Sequence, residues 1–220
     1  MIARSVEKSR PPGLWAGQAL HAVCFVLLLA ALLWAWVSLG RPFPSFFWLA
    51  ALIPVVHQIY VWLTWRFELN AKSISQSIGF GGYLIGFFAL FGARFVTLFL
   101  LAWVDQGSAG LSVWLQLALT IACAVPGVYA MVSVHLYFGM QRAAGADHFD
   151  PKYRAMPLVK QGIFRFTDNG MYVYAFLLFW AIALGFNSAA ALAVAAFSHA
   201  YIWVHHLATE RVDMAYLYRD

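Results

Sequence analysis

The sequence predicts an all-α protein, a polytopic bundle of about six transmembrane helices. The first observation is composition, because 63% of the residues are hydrophobic and only 10% are charged. Water-soluble domains carry about 25% charged residues. The second observation is that the apolar residues form long runs without the alternation typical of barrel strands. Because backbone polar groups must pair internally in lipid, these runs are expected to form helices.

A helix needs roughly 20 mainly apolar residues to cross a bilayer, and the sequence contains six apolar runs that are candidates. The fifth run is short, and the tight turn Gly185-Phe186-Asn187-Ser188 separates it from the sixth. The runs predict a single membrane domain, 1–220, with N-terminal helices in 1–110 and a core with most of the polar residues in 111–220. The six predicted spans are 17–39, 46–65, 78–103, 111–138, 171–184 and 189–207.

Basic residues are distributed very unevenly between the predicted loops. Of the 14 Lys and Arg residues, 12 fall on one side, only Arg41 falls on the other, and Arg94 lies within the third span. Lys and Arg favour the cytoplasmic side, so both termini are predicted to be cytoplasmic. The corresponding membrane is a bacterial inner membrane, or the endoplasmic reticulum in a eukaryote. The 12 residues are Arg4, Lys8, Arg10, Arg66, Lys72, Arg142, Lys152, Arg154, Lys160, Arg165, Arg211 and Arg219.

The sequence lacks the patterns typical of nucleic-acid-binding proteins and of metal sites. The net charge of +5 is not gathered on a soluble module with interleaved aromatic residues, so we expect a membrane surface rather than nucleic acid as its partner. Cys24 and Cys123 lie in apolar runs, and no Cys/His spacing typical of zinc or non-haem iron occurs. We therefore expect no metal site.

Polar residues concentrate in two segments, 162–172 before the fifth span and 205–213 after the sixth. Because the turn at 185–188 makes these spans an antiparallel hairpin, the two segments should meet at the cytoplasmic interface. A helix start offers free N–H groups and a helix end offers free carbonyls, which suits a polar ligand. The alternative is that Asp168 or Asn169 caps the fifth helix and the other residues contact headgroups.

The same segments resemble the phosphatidylethanolamine N-methyltransferase family, which is related to the isoprenylcysteine carboxyl methyltransferases. The similarity covers roughly 126–219 and departs from the family pattern at three places. Gly170 replaces a usual proline, Thr209 replaces a glutamate, and a Gly-x-Gly element is reduced to Pro126-Gly127. The residues that carry the resemblance are Phe164-Arg165-Phe166-Thr167-Asp168-Asn169-Gly170-Met171-Tyr172, Thr209-Glu210-Arg211, Tyr216, Tyr218 and Tyr137-Phe138-Gly139.

The resemblance implies an enzyme that uses S-adenosyl-L-methionine to methylate the amine of a membrane lipid and releases S-adenosyl-L-homocysteine. Glu210 would bind the cofactor's ammonium group or a ribose hydroxyl, and Arg165 would bind its carboxylate. Aromatic faces, for which Tyr172, Tyr174 and Trp203 are candidates, would stabilise its sulfonium. The candidate cofactor-binding residues are Glu210, Arg165, Gly162, Met171, Tyr172, Trp203 and Gly127. The candidate catalytic residues, which position the amine or accept its proton, are Tyr172, Asn169, Asp168, His205 and His206.

Two other functions stay open. Carboxyl or thiol methylation belongs to the related branch, although Asp-Asn before Met-Tyr favours the lipid branch. A non-enzymatic transporter would carry charges near the midplane and often an inverted repeat, whereas the sequence shows Arg94 alone and no repeat.

The remaining histidines carry weaker expectations. His148 lies in the long polar loop and is expected to be solvated. A histidine within a span more often bonds a neighbouring helix than performs chemistry. This applies to His21, His57, His135 and His199. Of these, His135 and His199 are also candidates to line a lipid access route.

Overall fold

A computed structural model describes residues 10–219, and within this range every regular element is helical. The all-α prediction is confirmed. The helices are α1 (Gln18–Ser38), α2 (Pro44–Ala71), α3 (Gly79–Val104), α4 (Val113–Phe138), α5 (Met171–Gly185), α6 (Ala189–His205) and α7 (Arg211–Leu217). The chain between α4 and α5 forms only short helical turns.

Helices α1 to α4 are long and apolar enough to cross a membrane. The fifth and sixth predicted spans correspond to α5, a shorter apolar helix, and to α6, which has 17 residues. The molecule is therefore an integral membrane protein by helix length and composition. Six crossings remain a prediction.

Helix α2 continues to Ala71, although the sequence predicts that the span ends near Arg66. Its last turn is ordered by Glu68, whose carboxylate accepts hydrogen bonds from the Ser75 backbone N–H at 2.9 Å and the Ser75 hydroxyl at 2.7 Å. These bonds fold the polar stretch after α2 back onto the helix. The polar stretch after Arg66, which the sequence predicts to be a loop, is thus partly helical because the buried Glu68 carboxylate accepts hydrogen bonds from nearby Ser75.

The turn between α5 and α6 forms as predicted and is fastened to the loop between α3 and α4. Asn187 adopts the left-handed conformation with φ 54°. Its side-chain amide donates to the Leu111 carbonyl and accepts from the Leu111 N–H. Asp105 accepts hydrogen bonds from the Ser188 hydroxyl at 2.6 Å and the Ala190 N–H at 3.0 Å. The α5–α6 hairpin therefore has one closed, rigid end.

The opposite end of the bundle gathers the N-terminal segment, the long loop and the C-terminal segment, and is called the site end below. The Arg66 guanidinium donates to the backbone carbonyls of Gly13 at 2.6 Å and Ala16 at 3.1 Å, and its Nε lies 2.9 Å from the Asp213 carboxylate. The first described residues and α7 therefore lie at the same end, as an even number of crossings requires.

The side of the membrane on which the site end lies gives a first testable prediction. Because nearly all of the basic residues in 10–219 fall in segments of this end, we expect it to be cytoplasmic. A reporter fused after Ala109 should be scored on the outside, and one fused at the C-terminus should be scored on the inside. The same location for both reporters would contradict the predicted topology.

Candidate active site at the open end of the helix hairpin

The open end of the α5–α6 hairpin carries two turns of unusual geometry. Met171–Ala175, at the start of α5, and His206–Glu210, directly after α6, are both π-helical. Single π-helical turns are rare and frequently occur at functional sites, because the extra residue redirects the side chains. Here the two turns bring Tyr172 of one segment against Glu210 of the other, 38 positions apart.

Tyr172, His206, Glu210 and Trp203 form one cluster, called the Tyr172–Glu210 cluster below. The Tyr172 hydroxyl donates a hydrogen bond to the Glu210 carboxylate. His206 Nδ1 lies 2.9 Å from the same carboxylate oxygen. The Tyr172 ring contacts the rings of His206 at 5.1 Å and Trp203 at 5.7 Å between centroids. A carboxylate bounded by aromatic rings is thus presented at the hairpin's open end.

The backbone that carries Tyr172 is held by His199 of α6. The Trp180 indole N–H donates to His199 Nδ1 at 3.1 Å, so the proton of a neutral His199 lies on Nε2. That Nε2 lies 2.8 Å from the Tyr172 carbonyl and donates to it. As expected for a histidine within a span, His199 bonds a neighbouring helix, and it positions Tyr172 by doing so.

The other predicted residues before α5 lie closer to solvent. The side chain of Asp168 is exposed and pairs with Lys160 at 2.6 Å. The Asn169 backbone N–H is capped by the Thr167 hydroxyl, and its carbonyl accepts from the Val173 N–H. Arg165 is exposed and makes no side-chain hydrogen bond or ion pair within residues 10–219. The structure therefore brings Tyr172 to Glu210 and leaves Asp168 and Arg165 at the rim.

Two predicted glycines allow close backbone packing. A Cβ on Gly127 would lie 2.9 Å from the Leu178 side chain, so this glycine lets α4 approach α5. Gly162 has φ +59°, and a Cβ there would collide with Ser133, whose hydroxyl accepts the Ile163 N–H at 3.0 Å. Both glycines therefore serve the packing of backbone segments near the cluster, and neither contacts the Glu210 carboxylate in the structure.

His205 and His206 are adjacent in sequence but point to different places. His206 joins the Tyr172–Glu210 cluster, whereas His205 is buried and lies 5.7 Å from the Trp65 ring. His205 lines a cavity, as Tyr172 and Met171 do. The cavity reaches from these residues into the bundle, and helices α3 and α4 both contribute to its wall. The cavity therefore touches the Tyr172–Glu210 cluster at Tyr172.

His148 is not solvated, contrary to the expectation for a loop histidine. Its side chain is fully buried and stacks on Trp65 at 3.9 Å between ring centroids. Its Nδ1 lies 3.0 Å from Asp147, and its Nε2 lies 3.4 Å from Asp213. Burial disfavours the charged ring, but the two carboxylates outweigh burial and raise the pKa of His148. A charged core thus fixes the long loop to α2 and α7.

This charged core is what the sequence analysis missed. Arg66 and Asp213 are both fully buried as an ion pair, and the Tyr218 hydroxyl donates to Asp147 at 2.9 Å. Burial opposes ionisation of Asp147, yet the hydrogen bond and charge of His148 lower its pKa. Apart from the adjacent Asp147 and His148, the partners are far apart in the chain, so no spacing motif revealed them. The one available signal was the acidic Asp147 and Asp213 among many basic residues.

The fold and the site together define the class of protein: an integral membrane protein with an aromatic-carboxylate site at one end of a helical bundle. The sequence model of the family described as phospholipid methyltransferase matches residues 115–220. The match covers just under half of the chain and agrees with the resemblance seen in the motifs. Tyr172, Trp203, His206 and Glu210 all fall within it. No curated protein and no solved structure gives a significant match.

Proposed function

We propose that the protein is an S-adenosylmethionine-dependent methyltransferase that N-methylates a phospholipid amine, phosphatidylethanolamine or its methylated forms. The observation that carries this proposal is the Glu210 carboxylate, grouped with Trp203, His206 and the cavity-lining Tyr172. The methyltransferase-family match supports the type of reaction, and the cluster supports the choice of acceptor.

The residues of the cluster fit S-adenosylmethionine. When bound, this cofactor supplies a methyl group activated by a sulfonium cation. Glu210 has no Lys or Arg partner within residues 10–219, and 18% of its side chain remains exposed. A partly exposed carboxylate without a Lys or Arg partner suits the cofactor's ammonium group. The adjacent faces of Tyr172 and Trp203 suit the sulfonium. Arg165 at the rim is the proposed partner of the cofactor's carboxylate.

The charge of the cluster favours an amine over a carboxylate as the methyl acceptor. A carboxylate acceptor placed beside Glu210 would be repelled in a site of low dielectric. An amine arriving as an ammonium ion would be attracted by the same group. The Tyr172 hydroxyl, fixed on Glu210, then limits the positions that the amine can take. Orientation of this kind supplies a large part of the acceleration in transfer reactions.

An amine must lose a proton to act as a nucleophile, and His206 is the proposed acceptor. The imidazole of His206 is 21% exposed and bonds Glu210 through Nδ1 at 2.9 Å. The carboxylate orients the ring and stabilises the imidazolium that forms when Nε2 takes a proton. Partial exposure gives that proton a route to water. His205, buried on the cavity side, has no such route in the structure and is the second candidate.

Labelled S-adenosylmethionine tests this function directly. Membranes containing the protein are incubated with it, and the labelled product is identified by mass, with membranes lacking the chain as the control. A labelled phosphatidylethanolamine derivative is the expected product. A base-labile methyl ester or a thioether would instead place the protein in the carboxyl or thiol branch. No label transfer by protein that binds S-adenosylhomocysteine would contradict the proposed acceptor class.

The Tyr172 hydroxyl gives a second test of the mechanism. Tyr172→Phe keeps the aromatic ring but removes the contact with Glu210 and the amine. We expect about a tenfold or larger loss in both kcat and kcat/KM, because each 1.36 kcal/mol lost in the transition state is tenfold in rate. Asn169→Ala is expected to lose a similar factor. Both variants should remain folded and inserted.

Tyr174→Phe is the matched control for Tyr172→Phe. Tyr174 lies in the same π-helical turn, but it packs against a buried apolar group that includes Ile163 and Phe164. Its hydroxyl makes no hydrogen bond within residues 10–219. Methyl transfer should therefore be close to wild type. Wild-type rates for Tyr172→Phe and Asn169→Ala would make this segment a helix cap and an interfacial anchor.

A further inference from the structure

Arg94 is a buried cation with no obvious structural task. It lies on α3, is 3% exposed, and packs over the rings of Phe176 and Phe179 at 5.0 and 5.2 Å. Its Nε and Nη2 have no hydrogen-bond partner within residues 10–219. An uncompensated charge inside a membrane bundle is costly, and such residues usually mark a ligand path. The free N–H groups of Arg94 therefore point to an anionic ligand.

Arg94 lines the inner part of the same cavity that Tyr172 and His205 line. His57 and Gln58 of α2 also line it, and both are almost completely buried. Neither ring nitrogen of His57 has a hydrogen-bond partner in the described chain, contrary to the expectation that it bonds a neighbouring helix. The rest of the wall is mainly apolar and aromatic. The cavity thus combines a small polar group with a surface suited to hydrocarbon.

The relative depth of the two polar sites fits one molecule. Arg94 contacts Phe176, which lies four positions after Tyr172 in the same helix. Four residues correspond to about 6 Å along a helix. In an extended ethanolamine phospholipid, two carbons, the ester oxygen and the phosphorus separate the amine from the anionic phosphate oxygens, a span of similar size. The amine can therefore lie at Tyr172 while the phosphate approaches Arg94.

We propose that Arg94, assisted by His57 and Gln58, binds the phosphate of the acceptor lipid inside the bundle. This proposal rests on the proposed function, because it assigns a role to the inner end of the same cavity. The guanidinium offers several donors to phosphate oxygens, which a lone amine in this cavity would not need. The acyl chains leave between α3 and α4, where Phe88 and Met131 line the wall. Arg94 thereby selects phospholipids over other amphipathic amines.

The competing explanation is that Arg94 is a structural anchor held by its two phenylalanines. The two explanations differ in their effect on stability. If the role of Arg94 is to bind an anionic ligand, its charge is unpaired in the lipid-free protein. Arg94→Gln then removes an unpaired buried charge and leaves the melting temperature of lipid-free protein unchanged or higher. If Arg94 is an anchor, the same change lowers the melting temperature and has no selective effect on any lipid.

Lipid binding to the purified full chain in detergent tests the proposal without cofactor or turnover. Three probes with identical acyl chains are compared: phosphatidylethanolamine, phosphatidic acid and diacylglycerol. We expect wild type to bind the two phosphate-bearing lipids at least tenfold more tightly than diacylglycerol. Arg94→Gln should lose about tenfold or more for both, as for a charge-assisted hydrogen bond, and nothing for diacylglycerol. Millimolar inorganic phosphate should not displace the lipids.

Several outcomes would overturn the proposal. Equal wild-type affinity for phosphatidylethanolamine and diacylglycerol overturns it without any variant, so a folding failure of Arg94→Gln leaves the test intact. Arg94→Gln with wild-type lipid binding but weaker S-adenosylhomocysteine binding would assign the guanidinium to the cofactor's carboxylate. Displacement of the lipids by inorganic phosphate would make the ligand a free anion. Because these assays need no methyl transfer, their failure is distinguishable from failure of the proposed function.

Discussion

Replacing Asp213 by Asn is expected to lower the free energy of unfolding by about 3–5 kcal/mol, the usual cost of breaking a buried ion pair. The Asp213 carboxylate is fully buried, 2.9 Å from Arg66 and 3.4 Å from His148. Asp213→Asn leaves two buried cationic groups beside each other without their shared anion. Because Arg66 also binds the Gly13 and Ala16 carbonyls, the N-terminal segment should loosen together with the long loop. Thermal or denaturant unfolding in detergent measures the effect.

Asp168→Asn is the matched control for Asp213→Asn. Asp168 pairs with Lys160 at the shorter distance of 2.6 Å, but 75% of its side chain and 61% of that of Lys160 are exposed. Exposed pairs contribute about 0–1 kcal/mol, so little stability should be lost. Similar losses for both variants would show that the Arg66–Asp213 pair is not buried in the folded protein.

The same charged core predicts how stability depends on pH. The pKa of His148 is raised above its ordinary value of 6.5 in the folded protein, because the carboxylates of Asp147 and Asp213 outweigh burial. Its stabilising contribution is therefore complete below pH 6.5 and is lost as the pH rises through the folded pKa. We expect wild type to lose stability above that pKa and His148→Gln to lose less over the same range. Identical pH profiles would contradict a charged His148.

Glu210→Ala is expected to weaken S-adenosylhomocysteine binding by about 1.5–3 kcal/mol, as for a hydrogen bond to a charged group. The variant removes the one carboxylate of the Tyr172–Glu210 cluster, so the cofactor's ammonium group loses its proposed partner. The carboxylate is only partly buried, at 18% exposure, and folding should be little affected. Calorimetry on folded protein measures the affinity.

Asp150→Ala is the control for Glu210→Ala. Asp150 is another carboxylate of the site end, with 42% of its side chain exposed and a pairing with Lys152 at 2.9 Å, and it lies outside the cluster. Its loss should leave the affinity for S-adenosylhomocysteine unchanged. If Glu210→Ala also binds with wild-type affinity, Glu210 is not a cofactor ligand, and the ammonium site must be sought elsewhere along the rim.

The sequence by itself determined that this protein is a helical protein surrounded by lipid, and that its last two apolar segments form a hairpin. These follow from local properties: long apolar runs with few charges predict helices in lipid, and Gly185 to Ser188 predicts a tight turn. The family motif around Tyr172 and Glu210 is also local, and the match over residues 115–220 agrees with it. A hairpin of two adjacent segments then suffices to place one motif near the other.

Only the tertiary structure decided which polar residues are buried and which partners they have. In the sequence, His148 is a polar-loop residue next to Asp147. Its burial, however, depends also on Trp65 and Asp213, which come from two distant parts of the chain. Likewise, Arg94 reads as a single charge in a span, and only the packing of α2, α3 and α5 places it in the cavity with Tyr172. The energy of a buried charge depends on neighbours distant in sequence, and no local pattern records those neighbours.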